Sequence, residues 1–71
     1  MSKEVTEFVI YIINEVASRN GLYPSRVYRE LDKSGCIRQY LVPFYDVLHT
    51  MSSESIAEDV LNYARLRGAD I

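Results

Sequence analysis

The sequence predicts an all-α fold, one compact domain of four helices joined by short loops. Two observations carry this prediction: apolar residues recur at helical spacing in four successive stretches, and glycine, proline or serine stands between them. The chain has 71 residues without a repeat, a low-complexity segment or a linker, so residues 1–71 are expected to form a single domain. The expected helices cover about 3–20, 24–34, 36–49 with a break near Pro43, and 53–67.

The first predicted helix has one apolar stripe. Ser2 can cap its start, and Gly21 can end it in the left-handed conformation. Ile10 and Tyr11 lie off the stripe, so we expect them either to be covered by a later helix or to belong to an interface. The stripe follows the series i, i+3, i+4, i+7, i+8 and i+11: Val5, Phe8, Val9, Ile12, Ile13 and Val16.

The second predicted helix begins at Pro24, because a proline at the first helical position loses no hydrogen bond. Tyr23, the residue before it, is a poor N-cap, so one N–H group needs another acceptor. Gly35 is expected to end this helix.

The third stretch has helical spacing but contains Pro43, and a proline inside a helix costs about 3 kcal/mol. Either a short helix ends before Pro43 and a new turn begins, or one kinked helix runs through. We favour the first, with Val42 displaced from the helical region by the proline that follows it. Phe44 and Leu48 are expected to enter the core.

The fourth predicted helix has several candidate starts. Ser52 or Ser53 can cap it, and Ser55 with Glu58 has the spacing of a capping box. Gly68 is expected to end it, and residues 69–71 are expected to fray.

Composition excludes several classes of function. Eight basic and ten acidic residues give a net charge of −2, whereas non-specific nucleic-acid binding usually needs a basic excess. The single cysteine excludes a disulfide framework. Residues 1–4 do not resemble a signal peptide, and the longest apolar run, residues 8–13, is too short to span a bilayer. We expect a cytoplasmic protein without a membrane segment. Its high hydrophobic content, 48 %, favours self-association or a protein partner.

The chain offers one acid–base pair, Asp46 and His49, which stand three residues apart and would share a helical face. With Tyr45 or Cys36 beside them they would form a catalytic or metal-binding group. Structural zinc needs four ligands at characteristic spacings, which the chain lacks, and a domain this small has little room for a substrate pocket. We therefore expect no enzymatic activity, cofactor or metal, and a structural role in which Asp46 fixes His49 and joins the third segment to the last helix.

Four basic residues form a local group: Arg26, Arg29, Lys33 and Arg38. The first three stand at i, i+3 and i+7 of the second helix. Residues 24–48 can be drawn as a helix-turn-helix, which gives an alternative function as a DNA-binding regulator. The other interpretation, which we favour, is a solvated face with ordinary ion pairs, or contact with an acidic partner.

Six tyrosines are many for this length, and tyrosine suits protein interfaces because it joins a large apolar ring to a polar tip. Tyr11 and Tyr63, with Ile10, are our candidate interface residues. The other interpretation is that most of the tyrosines are half-buried in the core.

The block Tyr45-Asp46-Val47-Leu48-His49-Thr50 resembles the bacterial domain-of-unknown-function family 3791, a group of short all-helical proteins. The resemblance extends over the apolar first helix, the start of the second helix at Pro24 and the helix that begins near Ile56. Members of that family usually have Ser or Thr where this chain has Tyr23. Tyr45, Asp46, His49 and Thr50 are taken as the family signature.

The resemblance implies no chemistry. Such proteins are similar to small accessory proteins encoded beside larger ones, among them ADP-ribosyltransferase-like toxins. The expected function is a small non-enzymatic helical module that binds protein, either itself or the product of a neighbouring gene, as an adaptor or as part of a toxin–antitoxin pair.

Overall fold

The computed structural model describes all residues from Met1 to Ile71 and confirms the all-α fold. Three long α-helices and two short helical segments follow each other without a strand. They are α1 (Lys3–Asn20), α2 (Pro24–Lys33), a π-helix (Ile37–Leu41), α3 (Tyr45–Leu48) and α4 (Ser53–Leu66). The radius of gyration over Cα atoms is 10.8 Å.

The helix ends follow the local chemistry of the sequence. The Oγ atom of Ser2 accepts the N–H of Val5 at 3.2 Å, and Gly21 ends α1 with a left-handed φ of 64°. Among the candidate caps of α4, Ser52 is the one used, because its Oγ accepts the N–H of Ser55 at 3.2 Å. Tyr23 makes no side-chain cap at α2, as expected.

The core is formed where α1 packs against both α2 and α4, with the π-helix packed against α2. Sixteen hydrophobic residues are buried in it, drawn from all five segments. The largest fully buried side chains come from every long helix and from the third segment: Ile12, Val16, Val27, Leu31, Cys36, Leu41, Ile56 and Val60. One core of this kind holds the whole chain together.

The third segment breaks near Pro43, as expected, but Val42 was assigned wrongly. Val42 keeps helical angles, φ −72° and ψ −52°, and its N–H donates to the carbonyl of Ile37 at 3.0 Å. This bond spans five residues and belongs to a π-turn, which is wider than an α-turn. The chain leaves the helical region at Phe44 instead, where φ is −103° and ψ is 18°.

The expectation that Phe44 enters the core is also wrong. Its side chain is 51 % exposed, whereas Leu48 is buried as expected. Tyr45 is half-buried, and its ring meets Phe8 of α1 edge-to-face with centroids 5.3 Å apart. Tyr45 thus takes the inward position that the sequence pattern gave to Phe44.

The C-terminal residues do not fray. The N–H of Asp70 donates to Oε1 of the buried Glu30 at 3.1 Å, and Nη2 of Arg26 donates to the carbonyl of Asp70 at 2.7 Å. Nε of Arg65 donates to the carbonyl of Ile71 at 2.8 Å. Ala69 and Ile71 are partly buried against the core. The chain end therefore lies along α2, bound through side chains from α2 and α4.

The helices differ from those of membrane-spanning proteins, because not one of them combines the length and the apolar character needed to cross a bilayer.

Candidate functional site

The predicted pairing of Asp46 with His49 is not formed. The ring of His49 stacks on that of Tyr45, with centroids 4.6 Å apart and planes 14° apart, and no hydrogen bond joins it to Asp46. Residues four apart on a helical turn are neighbours, which brings these two rings together. Thr50 closes the turn, because its Oγ1 donates to the carbonyl of Val47 at 2.7 Å.

The signature block therefore joins the third segment to α1, not to the start of α4. His49 stacks on Tyr45, and Tyr45 packs on Phe8 of α1. Asp46 and His49 are both exposed and line neither of the two depressions on the surface. The block thus holds an imidazole and a carboxylate at the surface without an enclosed space beside them.

Cys36 is buried in the core and takes no part in this cluster. Burial raises the pKa of its thiol to about 12, an effect that the charge of Arg67 partly offsets. A thiol with so high a pKa holds little reactive thiolate near neutral pH. Across the molecule, no three His, Cys, Asp or Glu side chains lie close enough together to hold a metal ion.

The four basic residues do not form one surface. Arg26 lies beside Asp70, with Nη2 3.9 Å from a carboxylate oxygen, and Lys33 lies 3.9 Å from the carboxylate of Glu30. The remaining two differ in position: Arg29 is exposed on α2, and Arg38 lies on the π-helix beside a groove. The segment that would serve as the recognition helix of a helix-turn-helix is divided into the five-residue π-helix and the four-residue α3.

An open groove of about 260 Å³ lies between α1, α2 and the π-helix. Its lining is mainly apolar and includes one acidic side chain, Asp32, and one basic side chain, Arg38. Of the predicted interface residues, Ile10 lies in this groove, whereas Tyr11 lies outside it on the exposed face of α1. The apolar lining consists of six side chains: Met1, Val9, Ile10, Ile13, Tyr28 and Ile37.

Tyr63, the third predicted interface residue, packs within the chain. Its ring stacks on Tyr40 with centroids 5.2 Å apart, and the guanidinium of Arg67 lies 3.8 Å from its centroid. The hydroxyl of Tyr63 reaches Oε1 of Gln39 at 3.3 Å. Tyr63 is half-buried, and it joins α4 to the π-helix.

A second apolar surface lies on the third segment, where Phe44, Val47 and Met51 are all exposed. They stand at i, i+3 and i+7, before, within and after α3. We call these three residues the α3 ridge. Tyr40 extends it inward, since its ring lies 6.1 Å from that of Phe44.

Comparison with protein-family models confirms the family resemblance noted in the sequence. Residues 7–66 of the 71 match the family described as a protein of unknown function, DUF3791. The chain belongs to this family. No curated protein and no solved structure matches it. In this DUF3791 chain the matched region takes in all of α2, the third segment and α4, together with most of α1.

Sequence reasoning missed the α3 ridge and two groove residues of this DUF3791 chain, Tyr28 and Asp32. The spacing of Phe44, Val47 and Met51 is visible in the sequence, but the core residues of the same segment have a helical spacing too. No local signal in the sequence distinguishes the residues that face the core from those that face solvent. The groove depends on how α2 meets α1, which a single sequence does not encode locally.

Proposed function

We propose that this protein is a small non-enzymatic module that binds protein in the cytoplasm, as the adaptor or antitoxin-like partner of a neighbouring gene product. The observation that carries the proposal is the α3 ridge. Large apolar side chains grouped on the surface of so small a domain are typical of protein-binding sites.

Two features of the ridge support a binding role. Val47 is 62 % exposed and Phe44 51 %, so both offer apolar area that a partner can cover. The helical turn beneath them is held by Tyr45 on Phe8, so the ridge has a fixed position before a partner arrives. Preformed surfaces lose less entropy on binding than mobile ones.

The chemistry of the signature block supports a non-enzymatic role. Asp46 and His49 are exposed and are not bonded to each other, and Cys36 is buried with a raised pKa. Nucleophilic catalysis needs a nucleophile, a base and an orienting group within hydrogen-bond reach. These residues lack that arrangement.

The test is co-purification with the product of the adjacent gene, followed by titration calorimetry. Val47→Lys should weaken binding at least about ten-fold, because it places a charge in the apolar contact. Leu66→Lys is the matched control, since Leu66 is 85 % exposed on α4 and lies outside both the ridge and the groove. Absence of a complex, or equal weakening by both variants with unchanged folding, would contradict the proposal.

The DNA-binding alternative has weaker support. Arg26 and Lys33 each lie beside an acidic side chain, and Arg38 lies on another surface. Its test is a gel-shift titration against the promoter region of its own gene. A salt-sensitive shift that Arg29→Ala reduces would favour this alternative over protein binding.

A further inference from the structure

The groove between α1, α2 and the π-helix has one acidic and one basic side chain on its lining, Asp32 from α2 and Arg38 from the π-helix. Both are exposed. Neither takes part in any of the four ion pairs that the chain forms within itself. The groove therefore presents two opposite charges that have no partner inside the molecule.

The interior of the groove is apolar. Ile10 projects from α1 and Tyr28 from α2, each about half exposed, while Ile13 and Ile37 form part of a buried floor. At about 260 Å³ the space is smaller than the roughly 300–1,000 Å³ typical of small-molecule sites, and it is open to solvent. Its size and lining suit the side chains of another protein surface better than an enclosed ligand.

We propose that the occupant of this groove is a second copy of the same chain, bound about a two-fold axis. In a two-fold interface each residue pair occurs twice with the roles exchanged. Asp32 would then face the partner's Arg38, and Arg38 would face the partner's Asp32, so both charges gain a partner at once. A groove with charges of one sign would repel its own copy, whereas this groove has one charge of each sign.

The apolar residues fit the same arrangement. Ile10 and Tyr28 are half exposed in the monomer and would be covered at the centre of the contact, with Asp32 and Arg38 at its polar rim. A standard interface covers roughly 800 Å² per partner. That is less than a fifth of the 4458 Å² accessible surface of one chain. The inference goes beyond the proposed function, because it concerns a second copy of the chain and uses a different surface from the α3 ridge.

The test is a charge exchange between chains, read by light scattering coupled to size exclusion. The unchanged protein should be a dimer. Asp32→Arg alone places Arg against the partner's Arg38, and Arg38→Asp alone places Asp against the partner's Asp32, so each variant should be monomeric, with dimer affinity reduced at least about ten-fold. An equimolar mixture of the two variants restores both opposite-charge contacts and should form a one-to-one heterodimer.

A matched pair of variants on α1 tests whether the dimer contact lies in the groove. Ile10→Glu should give a monomer, whereas Tyr11→Glu, one residue further along α1 and equally exposed, should remain a dimer. Recovery of dimers in the mixture also shows that both charge variants fold. Each variant is further compared with the unchanged protein by urea unfolding.

A monomer at all concentrations would overturn the inference, and so would a dimer that none of the groove variants weakens. Binding of a different protein in the groove of a monomer would overturn it as well. The proposed function is judged separately, because Val47→Lys and the neighbouring gene product test the α3 ridge. Loss of that complex with an intact dimer leaves this inference standing, and a monomer that still forms the complex leaves the proposed function standing.

Discussion

Alkaline pH should destabilise this protein through Cys36. The ordinary pKa of a cysteine thiol is 9.0, and burial raises that of Cys36 to about 12 in the folded chain. Between these values the unfolded chain has lost the thiol proton while the folded chain retains it. Unfolding then releases a proton, so raising the pH favours the unfolded state. The stability is fully present below pH 9.0 and is progressively lost toward pH 12.

The size of the effect follows from one proton. Linkage of this one proton makes the free energy of unfolding roughly 1 kcal/mol lower at pH 10 than at pH 8. A domain of this length rarely has more than about 3–5 kcal/mol of stability. The loss is therefore a large share of the total, and it exceeds the uncertainty of denaturant unfolding.

The assay is urea unfolding followed by circular dichroism at pH 8, 9 and 10, with a phosphine reductant to keep the thiol reduced. Cys36→Ala is the reference, because it loses packing at every pH but has no thiol to titrate. Burial, and after it the charges of Asp59 and Cys36, also raise the pKa of Tyr40, which adds a loss of the same sign. The two larger causes are present in both proteins, and the smallest is removed together with the thiol. Parallel stability curves for the two proteins between pH 8 and 10 would refute the reasoning.

Three further predictions concern packing and backbone. Leu41→Ala should cost about 2–5 kcal/mol of unfolding free energy by urea titration, because Leu41 is fully buried, whereas Val47→Ala on the surface should change it by less than about 0.5 kcal/mol. Ser52→Ala should cost about 1 kcal/mol through the lost cap of α4, seen as a lower midpoint of thermal unfolding. Gly35→Ala should cost about 1–2 kcal/mol, because φ is 82° there and a Cβ would lie 3.2 Å from Gln39; an unchanged midpoint would contradict the strain.

The helix ends could be read from the sequence because their causes are local. Ser2 caps α1 three residues ahead, Gly21 supplies a left-handed φ, and Pro24 begins α2 at the position where its missing N–H is harmless. Each effect involves residues within one turn of each other. A pattern of residue types is sufficient to predict such effects.

The ordered position of the C-terminal residues could not be predicted from local sequence. Their order depends on Glu30, which lies 40 residues earlier and accepts the N–H of Asp70. The same carboxylate is buried and lies near Lys33, and Arg26 of the same helix holds the carbonyl of Asp70. From the sequence alone, Arg26 and Lys33 were assigned to a solvated basic face of the second helix. Only the packing of α4 beside α2 reveals that the face receives the chain end.

The assignment of the two apolar series in the third segment depends on a change of helical period. Leu41, Phe44 and Leu48 stand at i, i+3 and i+7, which under an α-helical period places all three in the core. The N–H of Val42 instead bonds five residues back to Ile37, and this π-turn contains one residue more than an α-turn. The backbone also leaves the helical region at Phe44, so the side chains beyond Leu41 no longer follow one helical period: Tyr45 and Leu48 turn inward and Phe44 turns outward.

The break in the helix also leaves Phe44 exposed on the α3 ridge. Phe44, Tyr45 and Leu48 stand at i+3, i+4 and i+7 from Leu41, on the same helical face, and the broken backbone decides which of them are buried. In the structure the rings of Tyr45 and His49 fasten the turn to Phe8 of α1, while the Phe44 side chain is left in solvent. Leaving about half of that side chain exposed forgoes roughly 1 kcal/mol of burial, a sizeable amount for a domain of this size. A binding role for the ridge accounts for that cost, because a partner that covers Phe44 recovers the burial that folding alone leaves unused.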